Sequence, residues 1–287
     1  MPEFTDAHGI AIVYDVHPAQ GTPRGVVQLA HGYGEHAARY ARLIADLTAL
    51  GLTVYADDHR GHGRTGIRQH NGDPSQLGKL GSGGVPATVD ALWQFTEIIR
   101  EENPELPLVL LGHSWGSFMS QMLLNRHPDA YDLVVLSGTV YRQLGSGNLG
   151  DLNERWNAPG ANGMEWLASD DQVVRDFIAD PLCTTVPMGK TIGLFGQLQM
   201  MGKPRKRLRE AAGHDIPILL MVGRDDPVGG PRSVHRLADA YGKRSELTDV
   251  TTYVYPDARH EIFNEVGQEK VRADLVAWLD ARLPARV

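Results

Sequence analysis

The sequence has little cysteine and no excess of positive charge. Cys183 is the single cysteine among 287 residues, which excludes an internal disulfide and a cysteine-rich zinc site and favours a reducing compartment. The formal net charge of −7 argues against a nucleic-acid partner. No stretch is apolar for the roughly 18 residues that a membrane span needs, and residues 1–6 lack the pattern of a secretory signal. Together these features predict a cytoplasmic protein.

Short apolar runs alternate with helical patterns along most of the chain. The strand-like runs lie at residues 10–16, 25–30, 52–56, 108–111, 132–136, 218–222 and 250–255. The helical patterns lie at residues 37–50, 87–102, 118–126, 233–241 and 265–282. This alternation predicts an α/β fold with a mostly parallel central sheet and helices on both of its faces. It breaks in the middle, so we expect a core of residues 1–138 and 215–287 and a helical insertion at residues 139–214.

A serine between two glycines follows the apolar run at residues 108–111. The segment reads Gly112-His113-Ser114-Trp115-Gly116 and leads into a helical pattern, which is typical of a nucleophile elbow. The turn is so sharp that the residues two positions from the serine must lack bulk. The N-terminus of the following helix lies beneath the serine, where its free N–H groups favour negative charge. Ser114 is therefore the predicted nucleophile.

Polar residues that follow two late strands are suited to activate Ser114. A serine hydroxyl needs a base that takes its proton, and the base needs a carboxylate that orients it. In this kind of fold the carboxylate precedes the histidine in the chain. His260 follows the strand at residues 250–255 and is the predicted base. Asp226 follows the strand at residues 218–222 and is the predicted carboxylate, with its neighbour Asp225 as the alternative.

Two backbone N–H groups are predicted to stabilise the negative charge that forms on a substrate carbonyl oxygen. One belongs to Trp115, directly after the nucleophile. The other is assigned to Tyr33, in the loop after residues 25–30, because Gly32 and Gly34 let the backbone approach a substrate closely. Each such donor contributes on the order of 3 kcal/mol to transition-state stabilisation. An ordinary glycine-rich turn is the alternative for this loop.

Several motifs together resemble one branch of a known enzyme family. They are His31-Gly32-Tyr33-Gly34-Glu35-His36 with Arg39-Tyr40, Asp58-His59-Arg60-Gly61-His62-Gly63, Gly112-His113-Ser114-Trp115-Gly116, Asp180-Pro181-Leu182 and Ala258-Arg259-His260-Glu261. They look like motifs of the monoacylglycerol lipase and lysophospholipase branch, with its serine aminopeptidase-like relatives, of the α/β-hydrolases. The resemblance implies an α/β-hydrolase fold with a helical cap over the site. It also implies hydrolysis of a small-molecule monoacyl ester by a Ser-His-Asp acyl-enzyme mechanism, without a cofactor or a metal.

Two positions depart from that branch and keep other functions open. Trp115 and Ser117 stand where the branch commonly has methionine and glycine, and the sequence Ser-Trp-Gly-Ser resembles that of proline iminopeptidases. An aminopeptidase would hold the substrate ammonium with acidic residues of the insertion, for which the candidates are Glu154, Glu165, Asp170 and Asp171. A non-catalytic binding protein on the same scaffold is a further alternative, although such proteins usually lose a member of the triad. The sequence gives no indication of acyl chain length, of the alcohol or of oligomeric state.

Two weaker patterns near residue 60 suggest cofactor or metal binding. Residues 61–66 match a dinucleotide-binding fingerprint, but Asn71 and Pro74 follow where a helix should open, so no nicotinamide cofactor is predicted. His59 and His62 lack the further ligands that a zinc site needs. We therefore expect neither a cofactor nor a metal.

The insertion contains an apolar helical pattern followed by a basic run. The apolar side chains are those of Ile192, Leu194, Phe195, Leu198 and Met201. These side chains are candidates for lining an acyl tunnel or for forming the core of the cap. Because residues 203–209 are strongly basic, this part of the cap is also a candidate for peripheral contact with an anionic membrane surface. A solvated helix face is the alternative.

Overall fold

A twisted sheet of eight strands forms the centre of the computed structural model, which describes residues 2–148 and 150–285. Its strands are β1 (Glu3–Thr5), β2 (Ala11–His17), β3 (Gly25–Ala30), β4 (Leu52–Asp57), β5 (Leu108–His113), β6 (Leu133–Ser137), β7 (Ile218–Gly223) and β8 (Val250–Tyr255). Their order across the sheet is β1-β2-β4-β3-β5-β6-β7-β8. β2 pairs antiparallel with β1 and β4, and every other pair is parallel. The predicted α/β fold with a mostly parallel sheet is confirmed.

Helices cover both faces of this sheet. They are α1 (Ala41–Ala49), α2 (Gly63–Gln69), α3 (Gly84–Glu102), α4 (Trp115–Arg126), α5 (Asp171–Ala179), α6 (Met188–Gln199), α7 (Leu208–Ala212), α8 (Gly230–Lys243) and α9 (Gln268–Asp280). Apolar side chains of α1 and α9 pack on one face, and those of α3, α4 and α8 pack on the other. Because successive strand residues point to opposite faces, Leu108 and Leu110 enter the second cluster while Val109 and Leu111 enter the first. This two-sided burial explains why the central strands are continuously apolar.

The order of the strands places β3 and β5 at a topological switch point. From β3 the chain moves to β4 on one side, and it later returns to β5 on the other side of β3. In open α/β sheets ligands bind at such a switch point, beyond the carboxyl ends of the strands, so a site is expected at the loops that leave β3 and β5. The first loop carries Tyr33, and the second carries Ser114, which Trp115 follows at the start of α4; these are the three predicted site residues from the first half of the chain.

The segment between β6 and β7 contains helices α5, α6 and α7 and a short 3-10 helix at Glu154–Trp156, and no strand among its described residues. α7 packs Leu208 and Ala212 into the core cluster on the α4 side of the sheet. α6 has left-handed backbone angles at Gly193 (φ 65°), where the helix kinks. The division into a core and a cap at residues 139–214 stays a prediction.

Two elements differ from the sequence-based expectations. β1 was not expected, and a short helix, α2, begins at Gly63 inside the fingerprint at residues 61–66 rather than being absent there. The expectation that no helix opens at this point is therefore wrong. Tertiary contact explains α2, because the Thr65 hydroxyl accepts a hydrogen bond from the Val13 N–H of β2 at 2.9 Å. Among helices of the described residues, none has both the length and the apolar character that crossing a bilayer requires.

Candidate active site

Ser114 lies at the sharp turn between β5 and α4. Its backbone has φ 50° and ψ −120°, a conformation that a residue with a side chain rarely adopts. The turn is held in place because the Ser114 N–H donates to the Ser137 carbonyl at 2.8 Å. A side chain at Gly116 would clash with the carbonyl oxygens of Ala30 and His31 on the adjacent loop. The observed geometry is that of the strained elbow predicted from the two glycines.

His260 and Asp226 form a buried pair at the carboxyl ends of β8 and β7. His260 Nδ1 lies 3.0 Å from Asp226 Oδ1, and both side chains are almost completely removed from solvent. Asp226 Oδ1 also accepts a hydrogen bond from the Val228 N–H at 2.9 Å, which fixes the carboxylate. Asp225 points elsewhere and pairs with Arg155 at 2.9 Å on the surface. Of the two adjacent aspartates, the structure brings Asp226 to the histidine.

The electrostatic surroundings of His260 favour its charged form. Burial alone lowers the pKa of His260, but the Asp226 carboxylate at hydrogen-bond distance, together with the charges of Glu261 and Glu35, raises the pKa above its usual value. The other ring nitrogen, Nε2, is buried without a hydrogen-bond partner in the part of the chain that the structure describes. A nitrogen in that state is available to accept a proton from another group.

Glycine lets the histidine ring fit closely between neighbouring elements. At Gly138, where φ is 55°, an added Cβ would lie 2.9 Å from His260 Cε1. The His113 ring lies 4.9 Å from that of His260, and the Trp166 ring of the insertion lies 5.0 Å from it. Burial, and secondarily the nearby His260, lower the pKa of His113 to about 3, so His113 is neutral at physiological pH. The contact of Trp166 with His260 was not predicted, because no local pattern indicates which residue a single aromatic side chain in an irregular segment will contact.

The loop after β3 lies directly against the nucleophile. A Cβ added to Gly32 would be 3.3 Å from Ser114 Cβ and only 2.6 Å from Glu35 Oε1, so the site leaves no room for a side chain here. The Tyr33 backbone N–H, on the loop after β3, and the Trp115 backbone N–H, at the start of α4, donate to no oxygen within residues 2–148 and 150–285. Free N–H groups beside a nucleophile are suited to bind an oxyanion. The Trp115 indole is buried and contacts Tyr33, His59 and His62 edge-on or tilted.

Comparisons with known proteins agree with this geometry. Residues 21–267 match the family model described as serine aminopeptidase, S33. The chain belongs to the serine aminopeptidase S33 family. It is 35% identical to a monoacylglycerol lipase of Mycolicibacterium smegmatis over 98% of this chain and 96% of that protein. It is 23% identical to the human monoglyceride lipase over 98% and 91% of the two chains. These relatives confirm the predicted resemblance to the monoacylglycerol lipase branch.

Solved structures place this S33 family chain among the α/β-hydrolases. A thermostable carboxyl esterase from Bacillus coagulans, in complex with glycerol, superposes with a TM-score of 0.83 and 27% identity over 98% of this chain and 97% of that chain. A structure described as a lipase in its open form superposes with a TM-score of 0.79 and 26% identity over 97% of both chains. The expected α/β-hydrolase fold is thus confirmed.

In this S33 family chain the segment between β6 and β7 contacts the loop that carries Tyr33. The Tyr33 hydroxyl is hydrogen-bonded to the Thr191 hydroxyl at 2.8 Å. The Thr184 N–H donates to the Gly34 carbonyl at 2.8 Å. His36 Nε2 lies 2.9 Å from an Asp180 carboxylate oxygen. Three consecutive contacts therefore attach residues 180–191 to the predicted oxyanion loop.

Two groups of side chains have the chemistry of metal ligands. Among the described residues, His36, Asp180 and Cys183 place potential ligand atoms within 4.8 Å of one another. His36 is already hydrogen-bonded to Asp180, and burial raises the pKa of the Cys183 thiol far above the neutral range, which disfavours the thiolate that a metal needs. His59, named above as a possible ligand, places Nδ1 2.8 Å from a carboxylate oxygen of Asp57, and its ring stacks on His31. His36 and His59 are therefore each already hydrogen-bonded to a carboxylate of the protein.

Proposed function

We propose that Ser114, His260 and Asp226 form the catalytic triad of a serine ester hydrolase. The observation that carries the proposal is the buried His260–Asp226 pair at 3.0 Å, which lies at the same edge of the sheet as a serine with φ 50°. Membership of the S33 family and similarity to lipases support the same reaction class. A triad of this kind is recognised by geometry and roles rather than by sequence position.

The proposed reaction begins with attack of Ser114 Oγ on an ester carbonyl carbon, as His260 Nε2 takes the hydroxyl proton. Asp226 holds the proton of Nδ1, which leaves Nε2 free as the base, and stabilises the imidazolium that forms. The Tyr33 and Trp115 N–H groups bind the oxyanion. His260 then gives the proton to the leaving alcohol. Water, deprotonated by His260, attacks the acyl-enzyme, and the acid is released as Ser114 regains its proton.

A monoacylglycerol is the proposed substrate class, with lysophospholipids as a related class. The support comes from the relatives, which include monoacylglycerol lipases at 35% and 23% identity over nearly the whole chain. A lysophospholipase L2 of Escherichia coli is similar over 48% of this chain, which is weaker support for the second class. A cytoplasmic location, predicted from the cysteine content, stays a prediction.

Residues 139–214 are proposed to form a cap over this site. Trp166 contacts the His260 ring, and the Leu167 carbonyl accepts a hydrogen bond from the Glu261 N–H at 2.7 Å. Residues 180–191 contact the loop around Tyr33. A segment that touches both the base loop and the oxyanion loop is positioned to control access to the nucleophile between them.

The same segment is proposed to touch anionic membranes. α6 and the residue pair after it expose large apolar side chains: Leu194 and Phe195 by 72% and 73%, and Leu198 and Met201 by 54% and 36%. Next to them, exposed basic side chains follow at Lys203, Arg205, Lys206, Arg207 and Arg209. Apolar side chains beside cations are suited to the boundary between acyl chains and anionic headgroups.

Sedimentation with liposomes tests the membrane contact. We expect binding to vesicles that contain phosphatidylserine, and weaker binding for Phe195→Asp. Val266→Asp is the matched control, since Val266 is 69% exposed but lies on the core loop before α9. Equal sedimentation with neutral and anionic vesicles, or equal loss in both variants, would refute the contact.

The aminopeptidase alternative has less support from the cap. Glu165, one of the four acidic candidates, is hydrogen-bonded by Asn153 and by the N–H groups of Asn162 and Gly163. Asp170 caps α5 through the Gln172 N–H. These two carboxylates are engaged in local structure, and Glu154 and Asp171 are exposed. None of the four is a buried carboxylate that faces the site and lacks a partner.

Hydrolysis of a graded substrate panel tests the proposed function. The panel contains monoacylglycerols, lysophospholipids, p-nitrophenyl esters of increasing acyl length and aminoacyl anilides. We expect ester turnover by the wild type, loss of that turnover in Ser114→Ala, and no hydrolysis of the anilides. Turnover of anilides alone would support the aminopeptidase, and inertness of both proteins on all substrates would support a binding role.

A further inference from the structure

A buried ion-pair network joins the oxyanion loop to the loop that carries His260. Arg39 Nη1 lies 2.6 Å from Glu35 Oε2, and the two terminal nitrogens of Arg39 lie 2.7 Å from the two carboxylate oxygens of Glu261. All three side chains are at most 11% exposed. The Arg39 guanidinium thus binds the Glu261 carboxylate through two parallel hydrogen bonds and the Glu35 carboxylate through one. Because a guanidinium is planar and rigid, this arrangement holds both carboxylates at fixed positions.

The Glu35 end of this network reaches the nucleophile through one glycine. Glu35 Oε1 accepts hydrogen bonds from the Gly32 N–H at 2.7 Å and from the Tyr40 hydroxyl at 2.6 Å. A Cβ added to Gly32 would lie 2.6 Å from Glu35 Oε1 and 3.3 Å from Ser114 Cβ. Gly32 is thus enclosed between the carboxylate and the nucleophile, and Glu35 fixes the peptide directly before the Tyr33 N–H.

The Glu261 end of the network fixes the backbone directly after His260, the proposed base. Glu261 directly follows His260, and its carboxylate also accepts a hydrogen bond from the Asn264 amide at 3.0 Å. Its backbone N–H donates to the Leu167 carbonyl of the insertion at 2.7 Å. Side chain and backbone together fix the start of the loop that orients the imidazole.

We infer that Arg39 is a positioning residue that sets the separation between the oxyanion donors and the catalytic base. This inference rests on the proposed serine hydrolase. Arg39 touches neither substrate nor reacting atoms in this role, and acts through Glu35 on the Tyr33 N–H and through Glu261 on His260. Misplacement of a catalytic group by about 1 Å is enough to cost on the order of 10²-fold in rate.

The charge of the network gives a readout that a purely structural role would not. Two carboxylates and one guanidinium leave one net negative charge near the imidazole. The charges of Asp226, Glu261 and Glu35 raise the pKa of His260 against the opposing effect of burial, and the neutral His113 ring lies 4.9 Å from the His260 ring. Removal of the Glu261 charge therefore lowers the pKa of His260. The acid limb of the rate profile should then move to lower pH.

Three variants test the inference in two assays. The first measures the rate at which a fluorophosphonate labels Ser114, and the second measures kcat, KM and the pH dependence of the rate with an ester substrate. For Arg39→Met we expect a labelling rate and a kcat lower by roughly 10²-fold, with little change in KM. Arg39→Lys should recover part of the lost labelling rate and kcat, because lysine keeps the positive charge but cannot bind a carboxylate bidentately. Glu261→Gln keeps the arginine and should shift the acid limb to lower pH.

Arg24→Met is the matched control. Arg24 is 7% exposed and pairs with Asp280, which is 56% exposed, at 2.6 Å, so this substitution also removes a buried arginine from an ion pair, but far from the site. We expect it to lower the melting temperature without changing the acid limb. Arg39→Met that folds and labels at the wild-type rate would overturn the inference, as would an unmoved acid limb in Glu261→Gln. Failure of the wild type to react with the fluorophosphonate would instead refute the proposed hydrolase.

Discussion

Substitution of Asp226 by asparagine separates charge from shape in the proposed triad. The amide keeps an oxygen that accepts from the Val228 N–H, as Asp226 Oδ1 does at 2.9 Å, so the loop after β7 should keep its conformation. What is lost is the negative charge 3.0 Å from His260 Nδ1. That charge matters most in the transition state, because His260 becomes an imidazolium only after it takes the Ser114 proton.

The size of the loss follows from the distance. Two unit charges about 4 Å apart interact by roughly 4 kcal/mol at an effective dielectric constant of 20, which corresponds to about 10³-fold in rate. Loss of the same charge in a serine protease triad costs about 10⁴-fold in kcat. We therefore expect Asp226→Asn to lower kcat by 10³- to 10⁴-fold on a p-nitrophenyl ester, according to these two estimates.

Asp225→Asn is the matched control for this prediction. Its pair with Arg155 is mostly exposed, and such pairs contribute about 0–1 kcal/mol to stability, so kcat should stay within about twofold of the wild type. Steady-state kinetics and a thermal melt of all three proteins provide the measurement. The reasoning is refuted by a folded Asp226→Asn protein that retains more than about a tenth of the wild-type kcat, or by an equal loss in Asp225→Asn.

Three further outcomes are expected. His260 must be neutral to act as the base, and its pKa is raised, so the rate of ester hydrolysis should decrease as the pH is lowered, with a midpoint above pH 6.5. A midpoint below pH 6.5 would contradict the raised pKa. Gly116→Ala should destabilise the fold by about 3 kcal/mol or more in urea denaturation, because the methyl group meets backbone, whereas Gly242→Ala, in the open on α8, should gain up to about 1 kcal/mol. Burial raises the pKa of Glu261, but the Arg39 guanidinium outweighs burial, and the pKa is lowered from 4.5 to about 2. The ionised Glu261 carboxylate should therefore contribute its full share to stability above pH 4.5, and this share should be lost as the pH falls toward 2. Urea titrations between those pH values should show this slope in the wild type and a smaller slope in Glu261→Gln.

The sequence by itself determined the parts of this protein that depend on local pattern. The apolar runs at β3, β5 and β7 predicted buried parallel strands, since both faces of such strands are covered. The serine between Gly112 and Gly116 predicted the strained elbow, because the turn excludes side chains at those positions. Chain order and strand ends then predicted His260, and these predictions required no knowledge of long-range contacts.

Only the tertiary structure decided which polar groups meet. The local pattern favoured Asp226 and left Asp225 as the alternative, and the two pair differently because the turn after β7 directs Asp226 to His260 and Asp225 to Arg155 on the surface. Arg39 and Glu261 are 222 residues apart, so their pairing depends on how the loops after β3 and β8 come together at one edge of the sheet. Short-range periodicity reports which face of an element is buried, whereas the partner of a buried charge is set by the packing of elements distant in the chain.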